Sequence, residues 1–368
     1  MYRREARKVW FEEMLYKKIK SIYESLMDDE SKGIFQYRML YSLTNDLSYL
    51  DKMLLELYYW KSENILSNDA WKEFFSGLCG GAIKREVIIY GAGYYGKEMY
   101  RHITSAKCSV SFFCDRREEL YGTLYCEVPV IPVKELIREH GDSILIIAAM
   151  GHEKEIYESL TEQGFPADSI VTVKGCPYFD KSVPLRKNQA NVFVDAGCYD
   201  GATSLEFAKW NPSYQGIMAW EAEKGNAKRC KELFEREALR ATLIQAGMWD
   251  CCDKLYMSVD GERSGISETE GEESIEVRTL DEVIKNDESG AFDRVGFIKM
   301  DIEGAEMKAL CGAADTIRTQ KPQLAVCVYH KHEDILDILL YIKELNPEYK
   351  FYLRHYSLLG MDTVLYAL

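Results

Sequence analysis

Two glycine-rich turns constrain the fold of this 368-residue chain more than any other feature of its sequence. The first spans residues 91–96 and the second spans residues 195–201, and each lies between an apolar stretch and a segment with helical periodicity. A short apolar stretch bounded by glycine predicts a buried strand. Strand–turn–helix segments of this kind build parallel sheets with helices on their faces, so the sequence predicts two separate α/β domains.

The pattern of apolar residues divides the chain into three regions. Residues 1–83 show helical periodicity without a run of strands and predict an N-terminal helical region. Residues 84–180 alternate strands with helices and predict a small Rossmann-like domain, which a polar linker at 180–189 follows. Residues 191–368 alternate again and predict a larger α/β domain, in which the acidic stretch 258–276 indicates a loop or a hairpin.

Charge and composition narrow the classes of partner. The net charge is −14 and no cluster of Lys and Arg stands out, so we expect no nucleic acid, because binding its phosphates requires such clusters. The 11 cysteines contain no C-x-x-C pair and indicate reduced thiols. The N-terminus lacks the apolar stretch of a signal peptide, and no apolar run reaches the length of a membrane span. We therefore expect a cytoplasmic protein, with homo-oligomerisation left open.

The first turn has the pattern G-x-G-x-x-G, formed by Gly91, Gly93 and Gly96. These glycines allow backbone N–H groups to approach a pyrophosphate at the N-terminus of the following helix. Asp115 ends the next predicted strand 19 residues after Gly96, where a carboxylate would reach a ribose hydroxyl. The region resembles the nucleotide-sugar-binding N-terminal domain of bacterial sugar O-acyltransferases. A nucleotide or nucleotide-sugar ligand and a domain kept only for packing or oligomerisation are equally favoured, and redox chemistry with NAD is less favoured.

The second turn has the pattern D-x-G-x-x-x-G, formed by Asp195, Gly197 and Gly201. Glu221 ends the next predicted strand 20 residues after Gly201, and Asp250 follows the third strand. S-Adenosylmethionine has no phosphate, and its ammonium group suits a strand-end acid while the glycines permit close backbone approach. Glu221 is placed for the two ribose hydroxyls and Asp250 for the adenine amino group. Three acids at successive strand ends therefore predict an S-adenosylmethionine site.

A third motif connects this domain to a known family. The run IKMDIEGAEMKAL at 298–310 resembles the FkbM methyltransferases, whose hallmark is K-x-D-x-E-G-x-E at the end of strand four, and TLDEVI at 279–284 matches their upstream segment. The resemblance covers 191–368, and the segment near 28–56 with the Rossmann-like domain resembles the N-terminal extension of larger members. It implies a class I methyltransferase fold, with seven strands in the order 3-2-1-4-5-7-6 and strand seven antiparallel. It also implies O-methylation, mostly of glycans and secondary metabolites.

The same resemblance implies which residues form the site. In the second turn and after the next strand, the cofactor would be bound by Asp195, Gly197, Gly201 and Glu221. At the end of strand four, the site would comprise Lys299, Asp301, Glu303, Gly304 and Glu306. One departure affects the adenosine contacts, because Ala222 and Glu223 stand where the family often has a Pro-Asn element.

Methyl transfer to an oxygen requires an acceptor hydroxyl that is aligned with the sulfonium methyl group and partly deprotonated. Asp301 and Glu303 follow strand four and His330 ends the adjacent strand five, at the edge where ligands of such sheets gather. We expect Asp301 to be the central catalytic residue, with Glu303 in support and His330 as a base or as a second ligand of a divalent metal. His355 and Tyr356 are further candidates for the acceptor side.

Two other interpretations stay open. In the first, Asp301 and Glu303 have no catalytic role and brace the turn into the next helix, whose N-terminus favours acids. Alternatively, the domain would be a catalytically silent methyltransferase-like module that binds a nucleotide-sugar together with the first domain. The intact acids Asp195, Glu221, Asp301 and Glu303 favour catalysis over this second interpretation.

Overall fold

The structure is a computed structural model that describes residues 15–149, 151–173, 177–260, 263–267 and 273–368. These residues form two compact units. The six-stranded unit consists of the described residues within 33–176 and 355–361. The seven-stranded unit consists of those within 1–32, 177–354 and 362–368.

The described part of the chain that precedes the first strand is helical. Its helices are α1 at 15–25, α2 (Asp29–Thr44), α3 (Ser48–Trp60) and α4 (Asp69–Leu78). The Asn68 side chain caps α4 by accepting the N–H of Trp71 at 2.8 Å, and its amide donates to the carbonyl of Ile170 at 2.7 Å. This contact ties α4 to the strands that follow it, and residues 33–83 accordingly belong to the six-stranded unit.

The six-stranded unit contains the predicted alternation of strands and helices. Its elements are β1 (Val87–Tyr90), α5 (Tyr94–Ser105), β2 (Phe112–Asp115), β3 (Leu124–Tyr125), β4 (Val128–Pro132), α6 (Val133–Glu139), β5 (Ile144–Ile147), α7 (Glu153–Glu162) and β6 (Ile170–Val171). The strand order is β3-β4-β2-β1-β5-β6, and every pairing except β3–β4 is parallel. All residues of β1 and β5 are buried, as expected for central strands covered by helices on both faces.

The β3–β4 hairpin departs from the predicted alternation. Its two turn residues, Cys126 and Glu127, have left-handed φ angles of 51° and 65°. Such turns normally carry Asn or Gly, because other residues are strained in this conformation. The sequence therefore gives no turn signal at this point, although β4 extends the sheet by pairing with β2.

The seven-stranded unit begins its sheet at β7 and ends it at β17. Its elements are β7 (Val192–Ala196), α8 (Ala202–Trp210), β8 (Gly216–Trp220), α9 (Lys224–Arg236), β9 (Ala241–Ile244), β10 (Gly247–Met248), β11 (Asp253–Asp260), β12 (Arg263–Ser267), β13 (Glu273–Arg278), α10 (Leu280–Lys285), β14 (Val295–Met300), α11 (Glu306–Cys311), α12 (Ala314–Gln320), β15 (Gln323–Cys327), α13 (Asp334–Leu345), β16 (Phe351–His355) and β17 (Thr363–Ala367). The main sheet has the order β9-β8-β7-β14-β15-β17-β16, and β17 is antiparallel to β15. Counted along the chain, this is 3-2-1-4-5-7-6, which confirms the class I methyltransferase fold.

A smaller sheet is formed between β9 and α10. Its order is β10-β13-β11-β12, and β11 and β12 form an antiparallel hairpin. For the described residues of 258–276, the hairpin interpretation is therefore confirmed. Among the helices that the structure describes in either unit, none combines the length and the apolar character that crossing a membrane would require.

An aromatic cluster fixes α8 against the main sheet. Phe193 of β7, Phe207 of α8 and Phe297 of β14 are fully buried, and the rings of Phe193 and Phe207 stack at 4.3 Å. Each such ring contributes on the order of 2–3 kcal/mol by its burial. Because β7, β8, β14 and β15 are parallel, their carboxyl ends meet at one edge. The second glycine turn begins at that edge and is held there by this packing.

Candidate functional site

A buried ion pair fixes the second glycine turn. Asp195 at the end of β7 is fully buried, with Oδ1 3.1 Å from Nζ of Lys299 and Oδ2 accepting from the Ser204 hydroxyl at 2.7 Å. Lys299 Nζ also donates to the carbonyl oxygens of Ala196 at 3.1 Å and Gly197 at 2.6 Å. This corrects the expectation that Asp195 meets the cofactor ammonium directly. Its carboxylate is enclosed by groups of its own chain and acts on the turn through Lys299.

The protonated state of Lys299 follows from its surroundings. Burial lowers the pKa of Lys299, but the charges of Asp195 and Asp301 outweigh burial and raise the pKa overall. The ammonium group therefore stays protonated although Lys299 is only 2% exposed. A buried ion of this kind is strongly destabilising once its partner is removed.

The glycines bring the second turn directly against the end of β14. Gly197 has a φ of 74°, and a Cβ added there would lie 2.0 Å from the carbonyl oxygen of Asp301. The N–H of Asp301 donates to the carbonyl of Ala196 at 3.2 Å. Gly201, with a φ of 86°, precedes the first residue of α8. The predicted cofactor turn and the predicted catalytic aspartate are therefore adjacent through their backbones.

Glu221 follows β8 and turns its carboxylate toward the second turn. It accepts the N–H of Tyr199 at 3.0 Å and the N–H of Glu223 at 2.9 Å. Burial raises the pKa of Glu221, and these hydrogen bonds lower it by less. Glu223 in turn caps α9 by accepting the N–H groups of Gly225 and Asn226. Glu223, which stands where the family often has a Pro-Asn element, thus serves as the N-cap of α9.

Asp250 lies on the surface after β10. Its carboxylate pairs with Nζ of Lys308 on α11 at 2.9 Å. Both side chains are partly exposed, which indicates a weak ion pair. The contact of Asp250 with an adenine amino group stays a prediction.

Asp301 is held by two tyrosines that have no signal in the sequence. Its Oδ2 accepts from the hydroxyl of Tyr178 at 2.8 Å, and its Oδ1 accepts from the hydroxyl of Tyr329 at 3.3 Å. Burial raises the pKa of Asp301, but Lys299, His330 and the Tyr178 hydrogen bond outweigh it and lower the pKa overall. Asp301 is therefore an ionised carboxylate, and 27% of its side chain is exposed.

His330 stands between acids at the end of β15. Its Nδ1 lies 2.9 Å from Oε1 of Glu306, and its Nε2 lies 3.6 Å from Oδ1 of Asp301 and 3.7 Å from Oε2 of Glu303. Burial lowers the pKa of His330, but the Glu306 hydrogen bond and the acids around it raise the pKa to about 9. At neutral pH the imidazole is therefore a cation, and it acts as a counter-ion to the neighbouring Asp301.

The turn after β14 has a constrained backbone. Glu303 and Gly304 both have left-handed φ angles, 55° and 91°. The fully buried Glu306 accepts the N–H of Ile302 at 2.9 Å through Oε1. The interpretation that acids brace this turn therefore fits Glu306, whereas Glu303 is half-exposed and faces His330.

Asp301, Glu306 and His330 form a group that could hold a metal ion. Each residue offers one ligand atom, and the three atoms lie within 4.8 Å of one another. Carboxylate oxygens with one imidazole nitrogen suit a divalent cation. A second group, in the six-stranded unit, is formed by Glu135, Glu139 and His140.

The first glycine turn also contacts a strand-end acid. Asp115 Oδ2 accepts the N–H of Ala92 at 2.8 Å, and Arg117 donates to both Asp115 oxygens and to the Ala92 carbonyl. Burial raises the pKa of Asp115, but the hydrogen bonds from Arg117 and Ala92 lower it to about 2. Gly96 packs so closely on Gly91 that a Cβ would lie 1.8 Å from its carbonyl oxygen. The nucleotide or nucleotide-sugar ligand of this turn stays a prediction.

His355 and Tyr356 do not present surface to an acceptor. They are only 1% and 4% exposed, and burial next to Arg38 lowers the pKa of His355 to about 3. His355 is therefore a neutral, enclosed side chain. The expectation that these two residues line the acceptor side is wrong.

Comparisons with known proteins relate the seven-stranded unit to a family of methyltransferases. Residues 195–349 match the family described as the methyltransferase FkbM domain. A methyltransferase FkbM from Methylobacillus flagellatus is 19% identical, with a TM-score of 0.46 over 89% of this chain and 100% of that chain. An rRNA methylase from Streptococcus thermophilus is 12% identical, with a TM-score of 0.32 over 49% of this chain and 86% of that chain. A search of curated proteins gave no match.

The family match begins at Asp195 and includes the second glycine turn, Glu221, the turn after β14 and His330. The described strand order of this unit is that of class I methyltransferases. Residues 195–349 of this chain therefore match the methyltransferase FkbM domain and lie within a unit that has the class I methyltransferase fold.

Proposed function

We propose that the domain transfers a methyl group from S-adenosylmethionine to a hydroxyl oxygen of a sugar or glycan-like acceptor. The observation that carries this proposal is the backbone contact between the second glycine turn and Asp301. The turn that we assign to the methyl donor thus lies beside an ionised, partly exposed carboxylate, and this contact supports the proposal. Proximity of this kind is the main requirement for an in-line methyl transfer.

The residues of the second turn fit this cofactor. Beside the turn lies the carboxylate of Glu221, whose pKa is raised because burial outweighs the hydrogen bonds that it accepts. Two ribose hydroxyls would stabilise this carboxylate by donating hydrogen bonds, each contributing on the order of 1.5–3 kcal/mol. S-Adenosylmethionine supplies an activated methyl group. The role of Asp195 is to position the turn through Lys299, and Gly197 and Gly201 give it the left-handed backbone it requires.

Asp301 is the residue that we assign to the acceptor. Tyr178 and Tyr329 each donate to one of its oxygens and so fix the carboxylate plane. An ionised carboxylate in this position would accept the proton of the acceptor hydroxyl and orient its lone pair. His330, with a pKa of about 9, stabilises the charge of Asp301 and is protonated at neutral pH, so we assign the proton transfer to Asp301.

The sugar-like acceptor rests on the resemblance to the FkbM methyltransferases and agrees with the charge of the chain. A net charge of −14 disfavours a polyanionic acceptor, whereas a neutral hydroxyl compound meets no repulsion. A catalytically silent module is the alternative, and it would bind the cofactor without consuming it.

The test compares Asp301→Asn with wild type, using labelled S-adenosylmethionine and cell extract as the source of acceptor. Asn keeps the shape of the side chain and removes its charge. We expect unchanged cofactor binding and a turnover at least about 100-fold lower, since a positioned base contributes about 10²–10⁴-fold. Asp337→Asn, on the exposed face of α13, is the matched control and should leave turnover unchanged. Near-normal turnover in Asp301→Asn would make Asp301 a scaffold residue.

A further inference from the structure

The group at the end of β14 and β15 contains more acidic than basic side chains. Three carboxylates, from Asp301, Glu303 and Glu306, surround the imidazole of His330 at 2.9 to 3.7 Å. This imidazole is the basic side chain of the group, whereas three of its side chains are acidic. The group lies where two parallel strands end, and it is partly open to solvent at Asp301 and Glu303.

Glu306 provides an independent observation. It is fully buried, and its Oε1 accepts the N–H of Ile302. Its Oε2, however, is buried without a hydrogen-bond partner among the described residues. A buried carboxylate oxygen left in this state costs on the order of 1–3 kcal/mol or more, so it calls for a cationic partner.

We propose that Asp301, Glu306 and His330 bind a divalent metal cation, and that the imidazole releases a proton to solvent when the metal binds. Carboxylate oxygens with one imidazole nitrogen suit Mn²⁺ or a related hard-to-borderline cation. Histidine ligands commonly have a carboxylate on their second ring nitrogen, and His330 has acids on both sides of its ring.

The cation would complement the proposed chemistry. An Asp carboxylate is a weak base for a sugar hydroxyl, and a cation beside it would make a coordinated hydroxyl more acidic. This use of the cation rests on the proposed function, whereas binding of the cation does not. The two can therefore fail separately.

The experiment measures Mn²⁺ binding to the full chain by electron paramagnetic resonance, which reads free Mn²⁺ directly. Wild type should bind one equivalent of Mn²⁺, and Asp301→Asn and His330→Gln should bind it at least about 10-fold more weakly. Glu306→Gln keeps the Oε1 acceptor for Ile302 and should weaken binding similarly. If this buried variant fails to fold, Asp301→Asn, which is partly exposed, decides alone.

Glu139→Gln is the matched control, because it alters the other acid–histidine group, in the six-stranded unit. Binding that is lost only in Glu139→Gln would overturn the proposal, as would the absence of stoichiometric binding to wild type. Unchanged binding in Asp301→Asn and His330→Gln would overturn it too. If Mn²⁺ binds here while no methyl transfer is found, the proposed function fails and the metal site stands. If transfer proceeds undiminished after chelation without Mn²⁺ binding, only the metal site fails.

Discussion

The two glycine turns of this chain are fixed in similar ways. In the first, Arg117 bridges Asp115 and the carbonyl of Ala92. In the second, Lys299 bridges Asp195 and the carbonyls of the turn. In both turns an acid and a cation of the same chain hold the backbone. A glycine pattern with a nearby acid is therefore stronger evidence for a fixed turn than for a bound ligand.

The turns differ in the acid at the carboxyl end of the second strand of each motif. In the first turn this acid is Asp115, which Arg117 already neutralises, and its pKa falls to about 2. In the second turn it is Glu221, which accepts backbone N–H groups and has a raised pKa. Only the carboxylate with the raised pKa gains much from two ribose hydroxyls. This difference supports the proposal that adenosine binds beside the second turn.

The largest expected effect comes from Lys299→Met. This change leaves the buried Asp195 without its cation and should cost about 3–5 kcal/mol of the free energy of unfolding of the seven-stranded unit. Arg117→Met should cost about 0–1 kcal/mol in the six-stranded unit, because half of the Arg117 side chain is exposed. Hydrogen exchange measured by mass spectrometry reports on each unit separately. Adding Asp195→Asn to Lys299→Met should recover part of the loss, and equal losses in the two turns would contradict the comparison.

A smaller effect is expected from alanine in the two turns. Gly197→Ala introduces a Cβ 2.0 Å from a backbone oxygen at a φ of 74°, and should destabilise the unit by about 1–3 kcal/mol or more. Gly93→Ala places its Cβ where no atom lies within 4 Å, so its stability should stay within about 0.5 kcal/mol of wild type. Thermal unfolding of both variants checks this. A tolerated Gly197→Ala would show that the contact with Asp301 is loose.

The smallest effect is the acid dependence of the first turn. The pKa of Asp115 is about 2 in the folded chain and near 3.8 when unperturbed. The ionised carboxylate therefore contributes its full stabilisation above about pH 4, and this contribution is lost as the pH falls toward 2. It amounts to about 1 kcal/mol, because solvent around the half-exposed Arg117 screens the ion pair. Urea unfolding of wild type and Asp115→Asn between pH 2 and 6 should show curves that converge at the acid end. A constant difference across this range would mean that Asp115 stabilises without its charge.

The alternation of strands and helices in the seven-stranded unit could be predicted from its apolar runs, whereas its strand order was implied by the resemblance of residues 298–310 to the FkbM methyltransferases. The proximity of Asp195, Glu221, Asp301 and His330 also follows from topology, since parallel strands bring their carboxyl ends together. The tyrosines on Asp301 could not be predicted. Tyr178 lies 123 residues from Asp301 in the chain, in a segment with no motif, and only tertiary packing brings it there.

The partner of Asp195 was mispredicted for a related reason. A strand-end acid beside a glycine turn suits a ligand ammonium, and a lysine on the neighbouring strand supplies the same group. The spacing of Asp195 does not distinguish these two sources of positive charge. The register between β7 and β14 does, because it sets Lys299 opposite Asp195. The β3–β4 hairpin escaped prediction because its turn uses Cys126 and Glu127 instead of Asn or Gly.

The central claim is that the second turn binds S-adenosylmethionine through Glu221. Calorimetric titration of the cofactor and of its demethylated product into wild type, Glu221→Gln and Asp115→Asn tests it most directly. We expect wild type to bind both compounds and Asp115→Asn to bind them with unchanged affinity. Glu221→Gln should bind them at least about 10-fold more weakly, because it loses charge-assisted hydrogen bonds. Failure of wild type to bind, or an equal loss in Asp115→Asn, would contradict it.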